Sequence, residues 1–176
     1  MEIVDGRVDI DDVGAFVAQL GDIADSHGVT AQAFDARYVV DRAHLRRAVD
    51  LATRAIERGE AIADDRGVEI LLYAAGRRQI NRAFEMGVSA GDCPVVVSVV
   101  DCESHDWSGE NTGSTADEQT AAGAIADLLD DERVLGEYDR GQLSDFFWIT
   151  ERELAATEGG ISDLVRERVA LLVVER

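Results

Sequence analysis

The chain has 176 residues, and 36 acidic side chains against 17 basic ones leave a formal net charge of −19 at pH 7. Every basic residue is an arginine, which excludes a Schiff-base nucleophile, a P-loop lysine and a kinase-type phosphate clamp. Arginine does not deprotonate in proteins and cannot replace lysine in those roles. Acids and arginines in place of lysine across a surface are what concentrated salt favours, because salt screens the self-repulsion of so charged a compact state.

The length suits one domain, and a 46% hydrophobic content is enough to build a core. We expect a single α/β (α+β) domain over residues 1–176, with a small mixed sheet flanked by helices. The N-terminus is acidic and alternating, without the basic and apolar regions of a signal peptide. No run approaches the ~18 apolar residues that span a bilayer, and the two cysteines form no disulfide framework. The expectation is a cytoplasmic protein with no membrane partner.

In chain order, Glu2 to Val8 reads as a strand in which Gly6 marks a bulge or turn. Asp11 or Asp12 caps a helix with Val13, Phe16, Val17, Leu20 and Ile23 on one face, ending near His27-Gly28. Thr30 to Ala36 is a second strand. Asp41 opens a helix bearing Leu45, Ala48, Val49, Ala52 and Ile56, which Gly59 stops. The compact apolar run Val68 to Tyr73 suits a central strand, with a turn at Gly76 and a short helix containing Ile80, Ala83 and Phe84.

A further strand, Val95 to Val100, follows the only proline, Pro94. Residues 101–116 are polar and Gly/Ser-rich, a loop or insertion. A helix from Ala116 to about Leu129 comes next, then an aromatic cluster of Phe146, Phe147 and Trp148 with Ile149. Thr150 and Glu153 make a capping box for Glu151 to Thr157. From Ser162, the residues Leu164, Val165, Val169, Leu171 and Leu172 repeat with helical period before Val173-Val174 turns strand-like.

Catalytic constellations are poor. Cys102-x-x-His105, with Cys93, Glu103 and Asp106 nearby, lacks a second ligand pair, so no metal is assigned. Ser108 to Thr115 is Gly-rich but has no lysine to serve a phosphate loop. No cofactor is implied.

The arginines are unevenly placed. Between Arg37 and Arg82 ten arginines face seven acids, a local net charge of +3 that leaves −22 for the remainder. Within Gly76-Arg77-Arg78-Gln79-Ile80-Asn81-Arg82 there are three arginines and no acid. A strand turning at Gly76 would set helix-start amides beside these guanidinium groups, a combination that binds phosphate or carboxylate oxygens. Pairing with neighbouring acids is the plainer account. A basic island on an acidic surface nevertheless points to a local anionic partner such as nucleic acid.

Val68-Glu69-Ile70-Leu71-Leu72 followed by Gly76-Arg77-Arg78-Gln79-Ile80 resembles the G-x-R-Q-I motif and preceding segment of the Cgi/TPRKB-like kinase-binding family, the smallest KEOPS subunits. Residues 35–55, including His44, and residues 162–172 resemble that family's helix-opening and closing segments. The resemblance covers residues 30–100 and 142–176 and is thin over 101–141. It implies a non-catalytic subunit of the tRNA threonylcarbamoyladenosine-modification complex. Such a subunit docks on the small atypical kinase/ATPase subunit and helps to recruit tRNA through its single-stranded 3′ CCA end.

On that reading, Arg78 and Gln79 form the core of the tRNA site, with Gly76, Arg77, Ile80, Arg82, His44 and Arg47 extending it. Ile80 either faces the core or contacts a base. The kinase contact falls on the last helix, at Leu164, Val165, Arg168, Val169, Leu171 and Leu172, a helix with a second apolar face being suited to a partner groove. The alternatives are a small-molecule or nucleotide-binding α/β domain with an unidentified activity, and a homo-oligomeric scaffold.

Overall fold

The computed structural model describes residues 1–103 and 114–173. Among these residues, three strands form one antiparallel sheet in the order β1-β3-β2: β1 is Glu2–Ile10, β2 is Thr30–Asp35 and β3 is Gly91–Val100. The sheet is antiparallel throughout, where a mixed one was expected. The fourth strand that would have mixed it, Val68 to Tyr73, is a helix.

Eight α-helices are described: α1 Val13–Ser26, α2 Arg42–Glu57, α3 Arg66–Ala75, α4 Ile80–Ala83, α5 Ala116–Ala126, α6 Arg140–Phe147, α7 Glu151–Ala156 and α8 Gly160–Leu171. Alternation along β3 divides the interior in two. Val96 and Val100 join Phe34 in a core built with α2, α3, α6 and α8. Cys93, Val95, Val97 and Val99 face the other way, into a smaller core with Phe16 and Leu20 of α1 and Ala121 and Ile125 of α5. The sheet is therefore the middle of three layers. Cys93 and Cys102 belong to opposite cores, so they do not share a metal site; His105 and Asp106 lie outside the described residues.

Local chemistry explains the elements. Asp12, Asp41, Asp65 and Asp139 each accept a backbone N–H in the first turn of the helix they precede, which satisfies one of the donors a helix start leaves unpaired. Thr115 and Thr150 form complete capping boxes with Glu118 and Glu153. Pro94 sits where β3 pairs with β1 alone, just before β2 joins at Val95, so its missing N–H breaks no ladder.

Three sequence expectations are corrected here. The α3 run is buried from Glu69 to Tyr73, and continuous apolarity does not separate a buried strand from a buried helix. The Asp65 cap and Gly76, at φ +59°, are the helical signals at its two ends. Gly6 makes neither bulge nor turn. It lies in a continuous ladder where a Cβ would stand 2.6 Å from the Asp130 carbonyl oxygen, because the 129–131 segment crosses β1 there. Val173 follows α8 in a turn rather than a strand, and Val174 is outside the described residues. Of the 101–116 loop, residues 101–103, 114 and 115 are non-helical as expected, Ala116 begins α5, and 104–113 lie outside the described residues.

Candidate functional site

The arginine-rich segment leaves the C-terminus of a helix, which reverses the polarity expected at Gly76. Arg77 N–H bonds the Leu72 carbonyl and Gly76 N–H the Tyr73 carbonyl, both at 3.0 Å. With Gly76 left-handed, this is a Schellman closure of α3. The turn therefore begins at carbonyl oxygens, not at amides. The following α4 has only four residues and no side-chain cap. Anion binding by helix-start N–H groups is not available here, and any attraction for phosphate comes from the guanidinium groups alone.

Gly76 is fixed by its surroundings. A Cβ at this position would lie 3.2 Å from the Arg168 carbonyl oxygen of α8. Its role is to let α3 end against α8.

His44 is corrected in role. It is wholly buried on α2, its ring meets Phe147 edge-on at 5.9 Å, and its Nε2 lies 2.8 Å from the Ala74 carbonyl oxygen. Burial lowers its pKa from 6.5 to about 4, so it is neutral, donates Nε2–H to Ala74, and leaves Nδ1 without a hydrogen-bond partner. A buried ring contacts no RNA. It secures the helix end from which the turn departs.

Arg77 is similarly committed. Its guanidinium donates to the Phe146 carbonyl oxygen and lies over the Trp148 ring, 3.9 Å from its centroid. Trp148 ends α6 as Gly76 ends α3. Ile149 N–H bonds the Ser144 carbonyl at 2.8 Å and Trp148 N–H the Asp145 carbonyl at 3.4 Å. Trp148 itself is left-handed, the one non-glycine residue with positive φ among those described. Arg168 reaches the same helix end, donating to the Phe147 carbonyl oxygen at 3.3 Å and to Glu153 at 2.5 Å. Cations suit the negative end of a helix, and here two of them close α6.

What remains open to solvent in the motif is Arg78, Gln79 and Ile80, with Arg82 on α4. Arg78 makes no salt bridge among the described residues. Burial raises the pKa of Glu69 in the first turn of α3, opposed by the Ala63 and Ile62 N–H groups that its carboxylate accepts and by the charge of Arg78. Arg82 pairs with Glu85 at 2.6 Å. Arg47 stands on the solvent face of α2, beyond the buried His44. Between the turn and α6 lies a cleft of about 240 Å³ bordered by Tyr38, Arg77, Arg82, Gln142, Phe146 and Trp148. The sequence reading missed this cleft; its signal was four consecutive large apolar residues, 146–149, in so acidic a chain.

The last helix presents less than expected. Leu164, Val165, Val169 and Leu172 are buried in the chain's own core, and Arg168 is engaged with Glu153 and α6. Only Leu171 of the six is exposed. The periodicity located the helix correctly but could not separate a core face from a partner face. No helix among the described residues is long and apolar enough to cross a membrane, and no cluster of metal-ligating side chains is found among them.

The model of the family described as kinase binding protein CGI-121 matches residues 9–172. No curated protein matches the chain.

Proposed function

The chain belongs to the CGI-121 family of kinase-binding proteins, and from that premise we propose that it also holds the single-stranded 3′ end of tRNA at the turn after α3. Members of this family are non-catalytic kinase-binding subunits associated with KEOPS, which removes the reading as an α/β enzyme. In this function the chain recruits tRNA to a modification reaction carried out by other subunits.

One observation supports the RNA reading above the rest. Arg78, Gln79 and Ile80 are exposed side by side on a turn whose backbone is anchored by Gly76, His44 and Arg77. Arginine there supplies phosphate contacts and a planar face, while Ile80, 40% exposed, supplies an apolar contact to a splayed base. Arg47 extends the positive potential, and Arg82, paired with Glu85, borders the turn. His44, Gly76 and Arg77 position the turn.

The test is tRNA binding at matched high salt, with and without the 3′ CCA nucleotides. Arg78→Glu abolishes the preference for the intact end while kinase binding persists. Unchanged tRNA affinity in that variant would show the site to be elsewhere. For the kinase, Leu171 is the exposed apolar residue of α8 and the proposed point of contact.

A further inference from the structure

We propose that Trp148, with the cleft it borders, is a stacking seat for one unpaired nucleobase of the bound strand. This rests on the RNA-binding reading above and adds to it a ligand class and a residue outside the G-x-R-Q-I motif.

Three independent observations converge on Trp148. Its side chain is 64% exposed, the most exposed of the large hydrophobic residues described. Its backbone is left-handed, at φ 53° and ψ 45°. An L-residue with a bulky side chain is disfavoured there by about 1–2 kcal/mol, and glycine is the usual occupant of this Schellman position. An indole that is exposed and also held in a disfavoured conformation gains little for folding. Strain retained at the surface points to a use for the side chain.

The third observation is Arg77. Its guanidinium lies 3.9 Å from the centroid of the indole and is anchored by the Phe146 carbonyl oxygen. One face of the ring is thus covered by a cation, and most of the side chain remains open. The contact also fixes the ring's orientation before any ligand arrives, lowering the ordering cost of binding.

The charges of the cleft favour a base over a phosphate. Arg77 and Arg82 are matched by Glu85 and Asp145 around the same opening, so it offers no net positive potential. The aromatic walls of Tyr38, Phe146 and Trp148 suit a flat π-system. Phosphates are left to Arg78, which has no salt-bridge partner among the described residues. Non-duplex strands are held by this division of labour, the backbone by cations and a base by an aromatic face.

The experiment uses the full chain and two labelled RNA hexamers of unstructured sequence, one carrying a single abasic ribose, titrated at low and high salt. Wild type binds the complete hexamer more tightly than the abasic one, and the preference survives at high salt because stacking releases no counterions. Trp148→Gly relieves the backbone strain and gives up the Arg77 contact, two opposing effects of similar size, so its thermal midpoint stays close to wild type. Its affinity for the complete hexamer falls about 5- to 150-fold, the range expected for losing one stacked base, and the preference disappears. Trp148→Phe keeps a π-face and recovers most of the loss, whereas Trp148→Leu does not. Equal binding by the Phe and Leu variants would overturn the proposal even if the Gly variant fails to fold. If Trp148→Gly keeps wild-type affinity while Arg78→Glu loses it, the seat is wrong and the RNA reading stands. If wild type binds neither hexamer nor tRNA, the RNA reading itself is wrong.

Discussion

His44 donates its Nε2–H to the Ala74 carbonyl oxygen at 2.8 Å, joining the first turn of α2 to the last turn of α3. The bond satisfies a carbonyl that the helix end leaves without an intrahelical partner, two residues before the glycine that ends α3. The turn carrying Arg78 and Gln79 therefore depends on a neutral imidazole inside the core.

Neutrality makes that link sensitive to pH. The folded pKa of about 4 lies below the ordinary 6.5, so between these values the unfolded chain takes up a proton that the native state refuses. Stability is fully present above about pH 6.5, falls as pH drops toward about 4, and loses nothing more from this group below that. The loss approaches roughly 3 kcal/mol. Urea unfolding of wild type and His44→Gln between pH 7.5 and 4 isolates it, since other titrating groups cancel in the difference. Parallel curves would contradict this assignment.

Gly76→Ala is destabilising beyond the left-handed backbone penalty, because its Cβ would press on the Arg168 carbonyl. Gly59 is also left-handed, at φ +67°, but a Cβ there meets open space. Gly59→Ala costs about 1 kcal/mol and Gly76→Ala about 2 kcal/mol or more. Thermal unfolding of the two variants side by side tests the ordering.

Arg77→Lys does not rescue Arg77→Ala. A lysine ammonium offers neither the flat surface that lies on Trp148 nor the fork that reaches the Phe146 carbonyl. Both variants lose about 1–2 kcal/mol from the α6 end, measurable as a lowered denaturant midpoint.

Leu171→Arg leaves folding stability within about 0.5 kcal/mol of wild type, as an exposed substitution should, and weakens capture of the partner kinase. Leu164→Arg places a charge in the core and unfolds the domain. Kinase binding that survives Leu171→Arg intact moves the docking surface off α8.

The legible part of the fold was the part with strong periodicity. α1 and α2 follow the helical spacing of Phe16 and Leu20 and of Leu45, Ala48 and Val49, with aspartates at their starts, although Val17, read onto the same face of α1, is 50% exposed. The alternating strand of residues 2–8 and the valine run of β3 also read correctly. α3 did not, because its apolar run 70–75 is buried without a break, and unbroken apolarity fits a strand as well as a helix. The same ambiguity governs the site. Composition and motif singled out Arg78, Gln79 and Ile80 as candidates, but could not tell that His44 points inward or that Arg77 is engaged by α6. Those are properties of packing between segments 30 or more residues apart in the chain. Trp148 was visible as a residue in a cluster, and only its backbone conformation and exposure distinguish it from the buried Phe147.

The crossing at Gly6 has a consequence for how partners attach. On the outer side of β1, Arg7 exchanges backbone hydrogen bonds with Asp130, and Asp5 accepts from the Val134 and Leu135 N–H groups. At the opposite edge, Gln32 of β2 donates to the Ala33 carbonyl, and Gly67 at the start of α3 packs against Gln32 and the Ala31 carbonyl. A visiting strand thus meets an occupied border of β1 around Asp5 and Arg7, so β-augmentation there is disfavoured. Fibril-like self-pairing, a hazard for a small sheet, is suppressed at that border by the same crossing.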